Sequence, residues 1–262
     1  MKTAVLENVS VESIRTKRRR RRHSKIPSVF DSTQRTRHWV FRNATLSIAP
    51  GDCVFLLDPD GDRSATLMKV LTGLVPPDEG SAVRRGRGLM LTPPSRRWLR
   101  SLSLGQSARL LGGMYGMTDQ EIDERFEDWM EFAGLADKSW KPVEEVRRKV
   151  IRQLAFAVGT SAPVKLLGLD HMAVVGNNDF QPRCIPRIRE MTDSGVALVV
   201  VDSSPSLIPQ LATRAIRVKR KKLVEIPVLE AEELARKWAQ SKRQDKRRRK
   251  EIIDEDENED FI

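Results

Sequence analysis

An α/β fold with a largely parallel sheet is what this sequence of 262 residues predicts, and two patterns carry the prediction. Short runs of consecutive apolar residues at 53–57 (CVFLL), 166–169 (LLGL) and 196–201 (VALVVV) read as strands buried on both faces. Between and beside them lie longer stretches whose apolar residues recur at helical spacing.

The elements follow in order. Residues 4–14 (AVLENVSVESI) alternate apolar and polar and read as a strand. Lys17 then opens a run of five arginines to Arg22, followed by a Ser/Pro/Thr/Gln stretch to Arg37. Such a segment buries too little apolar surface to offset its ordering entropy, so residues 1–37 are expected to be one strand plus a basic mobile loop. Residues 39–48 (WVFRNATLSI) resume strand character, 49–52 turn, and 66–74 (TLMKVLTGL) read as a helix after the 53–57 strand. Residues 81–100 give no clear element. Residues 107–135 are helical, with Thr118 and Glu121 spaced as a capping box, and 143–159 form another amphipathic helix. A helix at 180–191, a short one at 206–212 and an edge hairpin at 215–226 complete the body. A C-terminal helix at 230–250 is expected to run into a basic stretch and then an acidic, disordered tail (EIIDEDENEDFI).

Composition excludes several classes. No apolar run is long enough to cross a bilayer, and no apolar core precedes the basic run as a signal peptide would require. Two cysteines cannot build a disulfide framework, and three scattered histidines give no zinc pattern. A reduced, soluble, cytoplasmic-type chain is expected. The net charge of +11 suggests nucleic acid until it is divided along the chain. Residues 1–37 carry 11 Lys/Arg against 3 Asp/Glu, and residues 38–216 carry 22 against 21. The body is nearly neutral, which weighs against a basic nucleic-acid adaptor.

A strand, a turn of small and acidic residues and a helix form the setting of a phosphate-binding loop. The working loop reads G-x-x-x-x-G-K-[ST]: its amides cradle phosphate, its lysine neutralises charge and its hydroxyl holds Mg²⁺. Here the eight residues are Asp58-Pro-Asp-Gly-Asp-Arg-Ser-Ala65, followed by Thr66. The setting is right and most working groups are replaced.

Residues 58–80 (DPDGDRSATLMKVLTGLVPPDEG), 142–159 (PVEEVRRKVIRQLAFAVG), 170–184 (DHMAVVGNNDFQPRC) and 121–135 (EIDERFEDWMEFAGL) stand in an order that is familiar. In these segments the chain resembles the ATP-binding subunit of ABC exporters, most closely the branch that exports capsular polysaccharide, O-antigen and teichoic acid. The likeness covers about residues 4–16 and 38–226. It implies a P-loop NTPase core at 38–226, an antiparallel β part and an inserted helical subdomain near 95–141. Members of that family use ATP and Mg²⁺.

Carried over residue by residue, the resemblance puts Asp58 and Arg63 at glycine positions, Ser64 at the lysine and Ala65 at the Mg²⁺-binding serine, while Gly61 and Thr66 are kept. Arg147, Arg148, Lys149 and Val150 stand where the family's signature reads SSGM. Asp170 keeps the metal-linked aspartate, His171 replaces the catalytic glutamate, Asn177 an aspartate, and Ser203 the switch histidine. The adenine-stacking aromatic falls on Ile14 or Trp39. Asp58, Asp60 and Asp62 would set three carboxylates beside a site meant for a triphosphate.

Each feature has a plainer reading. Arg147, Arg148 and Lys149 are either a solvated helix start or a face toward a partner; His171 is read as structural rather than as a base. Trp98, Trp129 and Trp140 are read as packing or interface residues. The Lys17–Arg22 run is a solvated loop by default, with an anionic membrane surface as its functional reading. The expectation is a non-catalytic subunit or regulator of a surface-polysaccharide exporter, with no intact catalytic residue, no metal and no cofactor. The alternative is a functional ATP-binding subunit of such an exporter. The implied partners are a membrane permease and a second ATPase subunit, as homodimer or heterodimer, at the cytoplasmic face of the inner membrane.

Overall fold

The structure, a computed structural model, describes residues 2–17, 34–59, 61–202, 204–219, 221–241 and 244. The basic run beyond Lys17, Asp60, Ser203 and the acidic tail lie outside the described residues.

A three-stranded antiparallel sheet, order β2-β1-β4, is built from β1 (Ala4–Lys17), β2 (Gln34–Ile48) and β4 (Glu79–Arg84). A six-stranded sheet runs β5-β6-β7-β3-β8-β9, from β3 (Cys53–Leu57), β5 (Gly88–Leu91), β6 (Leu166–Asp170), β7 (Ala197–Val201), β8 (Arg214–Lys219) and β9 (Lys222–Ile226). Its pairs are parallel except the last hairpin.

Continuous apolar strands arise here because both faces of the large sheet are covered. In β3, Cys53, Phe55 and Leu57 enter one hydrophobic core while Val54 and Leu56 enter the other. One core holds the antiparallel sheet and α1 (Asp62–Thr72). The other is closed by α3 (Leu104–Met114), α4 (Asp119–Phe132), α5 (Arg148–Thr160), α6 (Gln181–Asp193) and a C-terminal helix at 228–241. Short helices α2 (Arg96–Leu99) and α7 (Ile208–Leu211) complete the body, and the C-terminal helix is α8.

Several local expectations are corrected. Strand β2 starts at Gln34, so the boundary drawn at residue 37 falls inside a strand held by its pairing with β1. The stretch at 81–100 contains β5, most of β4 and α2. Its strands escape pattern reading because β4 is exposed nearly throughout, and β5 is four residues long. Helix α1 begins four residues earlier than its apolar pattern, since the polar first turn still carries the helix. Gly80 holds a positive φ of 85°, and a Cβ there would lie 2.4 Å from the Asn8 carbonyl oxygen on β1. Trp129 is buried, as a packing residue is, and Trp140 is 72% exposed, which leaves it only the interface reading. The Thr118–Glu121 capping box forms, and Ser103 with Gln106 makes a second one at α3.

Cys53 is buried, and that burial, aided by the Asp52 charge, pushes its thiol up to about 12. Cys184 is buried too and shifted upward by burial. Both are therefore expected to resist a thiol-specific reagent at pH 8 in the folded protein and to react together on unfolding. Fast labelling of either under native conditions, followed by mass spectrometry, would refute this.

Candidate functional site

In an open parallel sheet, ligands sit beyond the carboxyl ends of the strands. At that end here stand the loop after β3 (58–61), His171 after β6 and Asp202 after β7. Asp58, Gly61, His171 and Asp202 line one small cavity together.

The loop turns at Gly61 and leads straight into a helix N-terminus. Gly61 donates its N–H to the Asp58 carbonyl at 3.2 Å, adopts φ 81° and passes directly into α1, whose Ala65 N–H bonds back to Gly61 at 2.9 Å. One amide of this turn is taken by the chain's own carboxylate. The Asp58 side chain is fully buried, accepts the Arg63 backbone N–H at 3.0 Å and meets the Arg63 guanidinium at 3.3 Å. Asp58 turns inward onto its own loop, Asp62 is exposed, and Asp60 lies outside the described residues.

The replaced positions face as follows. Ser64, at the lysine position, is fully buried, and its hydroxyl has no hydrogen-bond partner among the described residues. Ala65 is partly exposed, and the Thr66 hydroxyl caps back to the Asp62 carbonyl at 2.9 Å. Asp170 ends β6, with its carboxylate 4.0 Å from the His171 ring. His171 adopts φ 52°, half-exposed, with its N–H bonded to the Val201 carbonyl at 2.8 Å. Asn177 accepts the Phe180 N–H at 2.9 Å, so it shapes the turn into α6. Among the described residues no group of three or more His, Cys, Asp or Glu could hold a metal ion.

Beside the loop a groove of about 420 Å³ is lined by Trp39, His38, Arg63, Lys69 and Lys221 among others. Trp39 stacks under the Arg42 guanidinium at 5.0 Å. Sequence reasoning named Trp39 and missed Lys69 and Lys221, which come from α1 and the β8–β9 turn and share no motif. Ile14 pairs with Arg37 across β1 and β2.

Arg147 precedes α5, and Arg148 and Lys149 occupy its first turn. All three are exposed, with no ion-pair partner among the described residues. Cations there oppose the helix dipole, so nothing local accounts for them. On the other side of the large sheet's edge, Leu89, Leu99, Leu111, Met114 and Tyr115 line an apolar groove of about 530 Å³ between β5 and the helical segment.

No family model matches the chain. It is 26% identical over 179 residues to the ABC transporter protein AbcA of Aeromonas salmonicida, covering 68% of this chain and 58% of that protein. It is 23% identical over 190 residues to the O-antigen export system ATP-binding protein RfbB of Klebsiella pneumoniae, covering 72% and 77%. To the teichoic acids export ATP-binding protein TagH of Levilactobacillus brevis it is 26% identical over 193 residues, covering 73% and 53%. The match thus spans little more than half of the first and third.

Among solved structures, it superposes on the ATP-binding cassette MJ0796, in a dimeric post-hydrolysis state bound to ADP and Pi, with a TM-score of 0.63 at 14% identity, over 86% of this chain and 98% of that one. A nucleotide-free ATP-binding cassette from an ABC transporter gives 0.62 at 11% identity, over 86% and 90%. No described helix is long and apolar enough to cross a membrane. The chain therefore has the α/β P-loop fold of an ATP-binding cassette ATPase, with its antiparallel and mixed sheets, and is distantly similar in sequence to ATP-binding proteins of O-antigen and teichoic-acid export.

Proposed function

We propose that this chain is a non-catalytic subunit or regulator of a surface-polysaccharide ABC exporter. The observation that carries the reading is the Asp58 carboxylate lodged in its own loop and satisfied by Arg63. A phosphate oxygen would have to compete for the same amide against a covalently tethered anion. It would do so without the lysine ammonium or the Mg²⁺-binding hydroxyl, since Ser64 is buried and Ala65 has no oxygen to offer. Two carboxylates close to a triphosphate add repulsion. These residues do not fit an ATP–Mg²⁺ complex.

The apolar groove between β5 and the helical segment supports docking of an apolar helix of the membrane permease, at the cytoplasmic membrane face. The phosphate-loop side, and separately Arg147, Arg148 and Lys149, would face a second ATPase subunit; in a heterodimer the Arg147 and Arg148 guanidinium groups would pair with the phosphates of the partner's ATP. The basic run from Lys17 to Arg22, whose arginines lie outside the described residues, would add contact with anionic lipid.

A second reading, a competent ATP-binding subunit of the same exporters, is favoured by the relatives, since RfbB and TagH are both named ATP-binding proteins. Titration calorimetry with ATP–Mg²⁺ decides between them. The expected result is no binding at micromolar nucleotide; a micromolar Kd would overturn the non-catalytic reading and establish the second.

A further inference from the structure

Strand β4 ends the antiparallel sheet with β1 as its one neighbour, so its other edge is unpaired among the described residues. Glu79 to Val83 are all exposed, Val83 by 57%. The register shows which backbone groups face that edge. Ala82 lies opposite Leu6, Val83 opposite Val5 and Arg84 opposite Ala4, and the Arg85 N–H bonds to the Thr3 carbonyl at 2.9 Å. Opposed residues of an antiparallel pair alternate between those that exchange hydrogen bonds and those that do not. Arg85 and Val83 therefore bond toward β1, and the N–H and C=O groups of Ala82 and Arg84 point outward. The Arg84 side chain turns back, its Nε donating to the Gly86 carbonyl at 3.1 Å, and leaves the edge clear. Lysine or proline commonly blunts such an edge, yet neither stands between Glu79 and Arg84. Beside it, on the side toward α1, Leu6, Leu71, Val75 and Pro76 line an apolar groove of about 400 Å³ that Ala82 closes.

We propose that this edge joins two copies of the chain, β4 against β4, antiparallel about a two-fold axis at Ala82. Ala82 of each copy then exchanges both backbone bonds with Ala82 of the other, and Arg84 stands opposite Gly80. The same register sets Glu79 of each copy opposite Arg85 of the other. Both side chains are exposed, with no ion-pair partner among the described residues. Centring the pair on Ser81 or on Val83 would set Arg85 against Pro77 or Ser81, so the charges select Ala82. A two-fold pairing closes on itself, and its product is a dimer with one six-stranded antiparallel sheet rather than a fibre. The contact lies at the far end of α1 from the phosphate loop, since Val70 and Leu71 of the last helical turn line its groove. The inference thus goes beyond the proposed function and holds whether or not the chain binds nucleotide.

The test is sedimentation velocity of the full chain without nucleotide over a range of concentrations, with hydrogen exchange on the same samples. Wild type is expected to dimerise reversibly, and the Ala82 and Arg84 amides should exchange about tenfold or more slowly in the dimer than in the dilute monomer. Ala82→Pro removes an outward N–H where an edge strand tolerates proline, and should give a folded monomer. Glu79→Arg and Arg85→Glu should each weaken the dimer about tenfold, because each sets like charges opposite one another. Mixed in equal amounts, those two variants should dimerise again, since the arginines of one copy then face the glutamates of the other. If Ala82→Pro does not fold, the two charge variants, both on the surface, carry the test. A monomer at every concentration, a dimer that survives Ala82→Pro, charge variants that associate as well as wild type, or no recovery on mixing would each overturn the inference. A dimer whose slowed amides lie in the phosphate loop would do the same. ATP titration of these samples keeps the two readings apart. ATP binding by a β4-paired dimer would overturn only the non-catalytic reading, and a monomer that binds no ATP would overturn only the pairing.

Discussion

Replacing four loop residues at once, by Asp58→Gly, Arg63→Gly, Ser64→Lys and Ala65→Ser, is expected to lower the Kd for ATP–Mg²⁺ by about a hundredfold or more, close to 3 kcal/mol. Gly61 has a positive φ and α1 starts directly after it, so the substitutions are placed at a turn that leads into a helix N-terminus. Asp58→Gly frees the Arg63 amide that the carboxylate now occupies. Ser64→Lys and Ala65→Ser supply the cation and the hydroxyl that the spacing calls for. Ser64→Lys alone should achieve little, because the Asp58 carboxylate would take the new ammonium as its own partner. The single and quadruple variants, titrated by calorimetry after a thermal melt confirms folding, give the comparison. A folded quadruple variant with no measurable heat would place the loss outside the loop chemistry.

Phe180→Ala should cost about 3–5 kcal/mol of stability, the range for truncating a large buried aromatic side chain. Phe180 is 2% exposed and follows the loop that carries His171 and Asn177. Its ring meets Phe132 of α4 edge-on at 5.4 Å and Phe156 of α5 at 5.9 Å. Such pairs contribute about 0.5–1.5 kcal/mol each beyond the area they bury. One ring therefore joins the inserted helices, the sheet's helical layer and the loop beside the site. Gln153 repeats the arrangement in polar form: its side chain donates to the Ala133 carbonyl and accepts the Asn177 N–H at 3.4 Å. Urea unfolding of the variant measures the cost, and a loss below about 1 kcal/mol would show that the cavity collapses around the gap.

The sequence by itself determined the elements whose residues carry their own physical reason. Strands β3, β6 and β7 are continuous apolar runs because both faces of the sheet are covered, and that condition is written in consecutive residues. The Thr118–Glu121 cap needs only two side chains three positions apart. The loop's losses at 63–65 are likewise local substitutions, legible one position at a time. Tertiary structure alone decided the rest. Strand β4 has almost no buried residue and exists because β1 offers it an edge, with Gly80 chosen by the closeness of the Asn8 backbone. Whether Asp58 faces solvent or the Arg63 amide depends on how the loop closes. Lys69 and Lys221 meet at one groove from elements about 150 residues apart, a separation that carries no spacing signal. A C-terminal helix was legible in the sequence, but its resting place was not. Amphipathicity fixes which side of a helix is buried, whereas the surface that buries it is set by the distant strands whose ends it covers.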